Sequence, residues 1–176
     1  MISNKTSIRT AVLTATTTLA LLAGPALADE PRLTVTFISD EAQGTSIDRE
    51  NYDRAVDKLE DVERSGIQGF FIANNLCVSY LKVGEADKAQ KSCELAVDHI
   101  QKELEENRHV RADDTAFGEY QKYLAIALSN RGVTYVINEK PEQARADFAA
   151  AIEIRAGLRQ PKINLARLEE LAPTSA

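Results

Sequence analysis

Two cysteines, Cys77 and Cys93, are the residues of this sequence best suited to form a covalent cross-link. They fall in the two helices of one predicted hairpin, close to the point where those helices should cross. A disulfide needs Cα atoms within about 7 Å, and closing a loop of this length would stabilise the fold by about 3 kcal/mol. We therefore expect a disulfide, with two small buried thiols as the alternative. Redox catalysis is not expected, because the cysteines do not form a C-x-x-C motif at a helix start.

The other groups capable of acid–base or metal chemistry are dispersed. His99 adjoins a predicted buried stripe and His109 a predicted loop, without the carboxylates or cysteines that would complete a metal site. The run from Glu103 to Glu106 lies on an open helix, where carboxylates lack the enclosure that shifts a pKa for catalysis. The sequence also has no phosphate-binding glycine loop and no serine in a nucleophile elbow. It therefore predicts a protein that is not an enzyme and that uses no metal ion and no cofactor.

Residues 1–28 have the pattern of a secretory signal peptide. Lys5 and Arg9 give a basic start, an uncharged stretch follows, and Ala26-Leu27-Ala28 forms a small-x-small cleavage site. The alternative is a retained membrane anchor, but the apolar run is short and rich in threonine, whereas a spanning helix needs about 20 apolar residues. We expect cleavage, no membrane insertion afterwards, and a periplasmic or secreted protein in an oxidising compartment where a disulfide persists.

The charge balance of the chain is acidic. The 176 residues carry 21 basic and 27 acidic side chains, and the loss of Lys5 and Arg9 with the signal leaves 19 basic ones, so that the net charge changes from -6 to -8. An acidic surface repels phosphate backbones and anionic lipid headgroups. A protein or peptide is therefore the expected partner, and nucleic acid is not.

Hydrophobic periodicity predicts helices throughout the chain after residue 47. Glycine and proline mark several boundaries: Gly66 and Gly84 follow two helices, and Pro141 suits a first turn. Gly157 and Pro161 predict a break before a last short helix. The predicted helices lie at about 52–64, at 70–83, from 86 onward, from 114 to 136, from 141 through 152, and at 164–171.

An internal repeat relates two of the predicted hairpins. When the sequence is aligned on itself so that Tyr80 falls on Tyr135, Ala89 falls on Ala144. The further matched pairs are Asn75 with Asn130, Cys77 with Gly132, Val78 with Val133, Cys93 with Phe148, and Ala96 with Ala151. A partial third copy comes first, and in it Ala55 corresponds to Ala89.

Small residues at matching places predict that the helices of each hairpin approach closely, because only a small side chain fits where two helices cross. We expect Cys77 to lie opposite Ala89, and Gly132 opposite Ala144. Each hairpin would then leave an apolar flank that only the next hairpin can cover. A plain helical bundle is the alternative, but it does not explain a small residue repeated at matching places.

The recurring leucine-glycine, tyrosine, alanine and phenylalanine positions resemble the tetratricopeptide repeat family, whose helix-turn-helix unit has a period of about 34 residues. Ala55 and Ala89 are separated by one such period. The resemblance covers residues 51–156, and the family's early tryptophan is replaced by Ala73 and Leu128.

The resemblance implies an all-α fold in which antiparallel hairpins stack as a short right-handed superhelix, with an extended N-terminal segment. The implied organisation is a signal peptide at 1–28, an extended segment at 29–47 and a helical domain at 48–172. The helical domain is divided into a half-unit at 51–64, full units at 70–103 and 125–156, a lengthened hairpin tip at 104–121 and a capping helix at 163–171.

The spacing between the two full units exceeds the family period by about 21 residues. The extra sequence is helix-forming on both sides of residues 107–114, so we infer two helices that are each lengthened by about three turns, roughly 15 Å. The tip would be an exposed charged elbow or a docking finger for a partner. Its charged residues are Glu103, Glu105, Glu106, Arg108, His109 and Arg111.

Members of this family commonly bind peptides along the concave face formed by their first helices. The resemblance places eight residues on that face: Phe71, Asn74, Val78, Lys82, Ile126, Ser129, Val133 and Ile137. Val78 and Val133 stand where a carboxylate clamp would need asparagine, so a mainly apolar groove is implied, which suits an extended or helical segment with hydrophobic side chains. Alternatively, the β-prone run of residues 32–39 fills the groove from within or adds to the edge of a partner's sheet.

The function predicted from these features is a non-catalytic protein–protein interaction module, an exported adaptor or assembly factor that binds a polypeptide segment. The alternative is a structural envelope protein that self-associates, in which the apolar flanks of terminal hairpins stack between copies and form a homo-oligomer.

Overall fold

The computed structural model describes residues 33–39, 41–108 and 115–171, and these residues form seven helices and no strand. The helices are α1 (Gly44–Asp48), α2 (Tyr52–Arg64), α3 (Phe70–Val83), α4 (Ala86–Glu106), α5 (Thr115–Ile137), α6 (Pro141–Ile154) and α7 (Arg159–Leu171). The predicted signal peptide lies outside the described residues. The all-α fold class predicted from the sequence is confirmed.

Successive helices pack against one another as hairpins. Helix α3 packs along α4, and α5 packs along α6, while contacts between α4 and α5 join the two hairpins. Helix α2 covers one end of this stack and α7 covers the other. The buried apolar side chains form two clusters that run through the stack. Each hairpin therefore covers a flank of the next one, as the repeat predicts.

The sequence accounts for several helix ends. Gly84 follows α3 with a φ of 83°, a left-handed conformation that suits glycine. This conformation lets the N–H of Glu85 donate to the carbonyl oxygen of Tyr80 at 2.9 Å. Pro141 begins α6, where the missing N–H of proline costs no hydrogen bond. The predicted bounds of α3 and the predicted starts of α4 and α6 agree with the structure.

The helix crossings confirm the predicted disulfide and show which side chain lies beside Gly132. Cys77 and Cys93 are joined by a disulfide, with their Cα atoms 5.0 Å apart. In the second hairpin, the three atoms nearest to a Cβ added at Gly132 are ring atoms of Phe148, and the expected position of Ala144 opposite Gly132 stays a prediction. Helical side chains lean toward the N-terminus of their helix, so a residue one turn further along covers the crossing point.

Helices α4 and α5 are the longest in the described part of the chain, with 21 and 23 residues. Their extra turns form the lengthened hairpin. Near its tip, Arg108 pairs with Glu105 at 2.8 Å while both side chains remain exposed, and a pair of this kind contributes little to stability. His109 and Arg111 of the predicted tip lie outside the described residues.

Two helices differ from the sequence-based expectation. Helix α7 begins at Arg159, ahead of the predicted start at Asn164, because Pro161 lies in its first turn, where proline is tolerated. Helix α1 lies within a stretch that was expected to be extended. Gly44 at its start is buried, and an added Cβ would overlap the carbonyl oxygen of Ile38 and lie 2.5 Å from that of Ser39. Glycine is therefore required where α1 meets the preceding chain.

No helix in the described part of the chain is both long enough and apolar enough to cross a membrane.

Candidate functional site

Residues 33–39, called the N-terminal segment below, run across α3, α5 and α7, with residues 33–38 in extended form and Ser39 at the start of a turn. Three buried asparagines hold the segment, one on each of these helices: Asn75, Asn130 and Asn164. Each is at most 1% exposed. We call these three residues the asparagine ladder.

Each rung of the ladder is a pair of hydrogen bonds between one carboxamide and the main chain of one segment residue. The N–H of the segment residue donates to Oδ1 of the asparagine, and Nδ2 of the asparagine donates to the carbonyl oxygen of the same residue. The rungs join Asn164 to Thr34 at 2.8 and 2.7 Å, Asn130 to Thr36 at 2.9 and 2.7 Å, and Asn75 to Ile38 at 2.9 and 3.0 Å. The three carboxamides thus take the place of a neighbouring β-strand.

Asn74 and the turn after the segment extend the ladder. Nδ2 of Asn74 donates to the carbonyl oxygen of Thr36 at 3.2 Å. Oδ1 of Asn74 accepts a hydrogen bond of 2.9 Å from Nδ2 of Asn130. Nδ2 of Asn75 also donates to the carbonyl oxygens of Glu41 and Ala42, each at 3.0 Å. A buried polar group without a partner costs about 1–3 kcal/mol. The asparagines and the main chain of the segment therefore satisfy one another's buried polar groups.

The ladder follows the internal repeat. Asn75 and Asn130 are a matched pair of that repeat, and Asn164 follows Asn130 at one family period of about 34 residues. Helix α7 is therefore equivalent to the first helix of a further unit. The repeat matched the first two asparagines without assigning them a role, and Asn164 was missed. Continuing the family period past Asn130 would have identified it.

The side chains of the segment alternate between two sides. Leu33, Val35 and Phe37 pack against the core cluster that contains the disulfide. On the other side, the hydroxyl of Thr34 donates to Oδ1 of Asn164 at 3.1 Å, and Ile38 packs against the second cluster. The segment carries no charged residue. The groove thus holds an uncharged extended chain with apolar side chains at alternate positions.

The eight residues that the resemblance placed on the concave face have different environments. Asn74 contacts the segment directly, and Oγ of Ser129 accepts from Asn164 at 3.5 Å. Nζ of Lys82 lies 5.9 Å from the centroid of the Tyr52 ring. Among the apolar members, Val78, Ile126 and Val133 are buried, Ile137 is half-buried, and Phe71 contacts the rings of Phe70 and Tyr123. The structure therefore brings Asn74 to the segment and Ser129 to Asn164 of the ladder, whereas Lys82 lies beside Tyr52.

A short turn connects the segment to α1. Ala42 and Gln43 in this turn have φ values of 38° and 61°, in the left-handed region that residues with a Cβ disfavour. A cavity of about 300 Å³ lies beside the turn, and its apolar lining includes Leu59, Val62 and Phe71. The turn fixes where the segment enters the groove.

Two pairs of polar side chains brace the hairpins outside the ladder. The hydroxyl of Tyr80 donates to Oε1 of Glu60 at 2.6 Å, and burial together with this bond raises the pKa of Tyr80 above its usual range. Arg131 donates to both carboxylate oxygens of Asp147, at 2.7 and 2.8 Å, which raises the pKa of Arg131. Among the residues that the structure describes, no group of three His, Cys, Asp or Glu could hold a metal ion. The ladder itself acts through neutral amides.

No protein-family model matches the sequence, and no curated protein matches it. A solved structure, the first TPR of Spaghetti (RPAP3) bound to the HSP90 peptide SRMEEVD, resembles this chain with a TM-score of 0.55. The sequence identity is 17%, and the match covers 78% of this chain and 97% of that chain. At this identity the likeness concerns the fold.

Proposed function

Since this chain has the tetratricopeptide repeat fold, we propose that it is a non-catalytic polypeptide-binding module whose binding site is the asparagine ladder. Its ligand is an extended, uncharged segment with apolar side chains at alternate positions. The protein acts as an adaptor or assembly factor after export to the periplasm or the extracellular space.

The geometry of the rungs is the observation that carries this proposal. Each rung binds the N–H and the C=O of one residue, groups that every residue except proline offers. The ladder therefore recognises main chain and accepts many sequences, while the alternate side chains that meet the core provide selectivity. Proline is excluded at the rung positions, because it has no N–H to donate.

The solved neighbour with a bound peptide supports a polypeptide ligand. The peptide in that structure contains two glutamates and an aspartate. In this chain the segment is met by neutral amides, and Lys82 lies over the ring of Tyr52. Among the described residues, no Lys or Arg side chain donates a hydrogen bond to the segment, so the proposed ligand is uncharged.

The N-terminal segment occupies the ladder in the described structure and serves as an intramolecular example of the ligand. A ligand on a short tether has an effective concentration on the order of millimolar. A peptide that takes its place must overcome this advantage. The ladder is therefore best tested in a full-length chain whose own segment has been released.

The double substitution Thr34→Pro with Thr36→Pro provides this opened variant. It removes two of the three N–H groups that the rungs accept and places proline rings against the asparagines. The probe is a synthetic peptide with the sequence of residues 32–40, Arg-Leu-Thr-Val-Thr-Phe-Ile-Ser-Asp. We expect isothermal titration calorimetry to detect binding of this peptide to the opened variant.

The matched control adds Asn130→Ala to the opened variant, and we expect it to abolish peptide binding. Circular dichroism shows whether each variant has kept its helices. If the opened variant is folded and does not bind the peptide, or binds it equally well without Asn130, the proposed function is wrong.

Export is supported by the predicted signal peptide and by the disulfide, because disulfides persist in oxidising compartments. Mass spectrometry of the protein expressed in bacteria should find a chain that begins at Asp29 in the periplasm or the medium. Cys77 and Cys93 should be oxidised in this chain. A chain that stays in the cytoplasm with its predicted signal peptide attached would contradict export.

A further inference from the structure

We propose that the N-terminal segment, while it stays in the groove, offers its outer edge as a docking site for an extended strand of another polypeptide. The inference rests on the proposed function and specifies how a partner meets a groove that is already occupied. The partner adds a strand alongside the segment instead of displacing it.

The alternation of the rungs defines this outer edge. In an extended chain, successive residues direct their N–H and C=O groups to opposite edges. Thr34, Thr36 and Ile38 direct theirs to the ladder. The main-chain groups of Val35 and Phe37 must therefore point away from it, and they make no hydrogen bond with any residue that the structure describes. A row of unpaired donors and acceptors with strand spacing is complementary to another strand.

The outer edge lacks the features by which proteins protect exposed strand edges. Such edges usually carry charged side chains or prolines that prevent pairing, and the segment has neither. Its residues from Leu33 to Ile38 are half-buried, so that each of them keeps part of its surface exposed. The six extended residues 33–38 span about 20 Å, which is the length of a typical strand.

The ladder also makes the segment a rigid template. Three paired hydrogen bonds fix alternate residues, so a partner strand does not have to order the segment when it binds. Displacement, in contrast, competes with an effective concentration on the order of millimolar. A partner strand that adds to the outer edge therefore needs less binding free energy than one that displaces the segment.

The occupant is a strand of a different polypeptide and not a second copy of this chain. Edge-to-edge pairing of two copies would bring together two protein surfaces with the same sign of net charge, which is -6 for the full sequence. A slender uncharged strand avoids this repulsion. The side chains of the added strand would alternate between the same two sides as the side chains of the segment.

Single proline substitutions at two adjacent residues distinguish the outer edge of the segment from the edge that faces the ladder. Val35→Pro removes an N–H from the outer edge, whereas Thr36→Pro removes the N–H that Asn130 accepts. The probe is again the synthetic peptide of residues 32–40, titrated into the wild-type chain and into each variant by calorimetry. We expect the wild type to bind the peptide and Val35→Pro to bind it at least tenfold more weakly. Hydrogen exchange at Thr36 and Ile38 should stay slow in Val35→Pro, which shows that its segment is still docked.

The outcomes distinguish this inference from the proposed function. If Val35→Pro binds the peptide as well as the wild type or better, the peptide displaces the segment and the inference is overturned. If only the opened variant with Thr34→Pro and Thr36→Pro binds the peptide, the proposed function stands and the inference falls. If none of these proteins binds it, both are wrong. Light scattering is also applied to the wild type and to Val35→Pro. If the wild type is a dimer and Val35→Pro is a monomer, the occupant of the outer edge is a second copy of this chain, and the inference that it is a strand of a different polypeptide is overturned.

Discussion

Gly132 lies so close to the ring of Phe148 that a Cβ added to the glycine would come within 2.5 to 3.0 Å of three ring atoms. The matched positions in the preceding hairpin are Cys77 and Cys93, which are joined by the disulfide. The same crossing is thus held by a glycine and a buried ring in one hairpin and by a covalent bond in the other. The two crossings fix how closely α3 lies to α4 and how closely α5 lies to α6.

We expect Gly132→Ala to lower the free energy of unfolding by about 1–3 kcal/mol, because the Phe148 ring has to move within a packed core. Gly118→Ala in the same helix is the control, since a Cβ there meets nothing within 4 Å. Alanine favours helix over glycine, so this control should be stabilised by up to about 1 kcal/mol. Urea unfolding measures both effects. Shifts of the same sign in the two variants would contradict the close crossing.

Loss of the disulfide should lower the free energy of unfolding by about 3 kcal/mol, given a separation of 16 residues between Cys77 and Cys93. The variant with both cysteines replaced by alanine should show this loss in urea. The double variant Cys77→Gly with Cys93→Phe reproduces the crossing of Gly132 and Phe148 in the second hairpin. It should recover part of the stability that the double alanine variant loses. A wild-type unfolding midpoint that does not change under reducing conditions would contradict the prediction.

Asn130→Ala should destabilise the fold by about 2 kcal/mol, because the main-chain groups of Thr36 lose their rung in a buried site. The segment should also become more sensitive to limited proteolysis. Asn138→Ala is the matched control: its Nδ2 donates to Gln90 at 2.7 Å, away from the segment, and its loss should cost about 1 kcal/mol or less. Equal proteolysis of the segment in the two variants would show that the ladder does not hold it.

The hydroxyl of Tyr80 should ionise only at a pH well above the usual value, because burial and the hydrogen bond to Glu60 raise its pKa. The unfolded chain releases this proton near about pH 10 and the folded chain does not. The stabilisation from this group is therefore complete below about pH 10 and is lost as the pH rises further. Ultraviolet absorbance of the phenolate follows the titration, and Tyr80→Phe should remove part of its late phase. An unchanged curve in this variant would refute the assignment.

The repeat made most of the fold predictable. The spacing of Tyr80 and Ala89 recurs at Tyr135 and Ala144, and every copy of a stacked hairpin must meet the same packing geometry. Helix α1 was not predictable, because five residues are too few to show a helical period. The start of α7 was placed too late, since Pro161 is compatible both with a break and with a first turn.

The candidate site was predicted only in part. Asn74, which the resemblance assigned to the concave face, contacts the segment, but the three asparagines of the ladder were not among the assigned residues. Asparagine has a low helix propensity, and a single sequence does not show what a buried carboxamide binds. The partners come from distant parts of the chain: Thr36 is 94 residues from Asn130, and Thr34 is 130 residues from Asn164. Only the folded stack brings them together.

Amide hydrogen exchange within the N-terminal segment tests the ladder most directly. The rungs engage every second residue, so NMR of the wild-type protein should show slow exchange at Thr34, Thr36 and Ile38. Val35 and Phe37 should exchange at least about tenfold faster, because their amides have no partner among the described residues. Uniformly fast exchange across all five amides, at the rate of an unstructured peptide, would contradict the account.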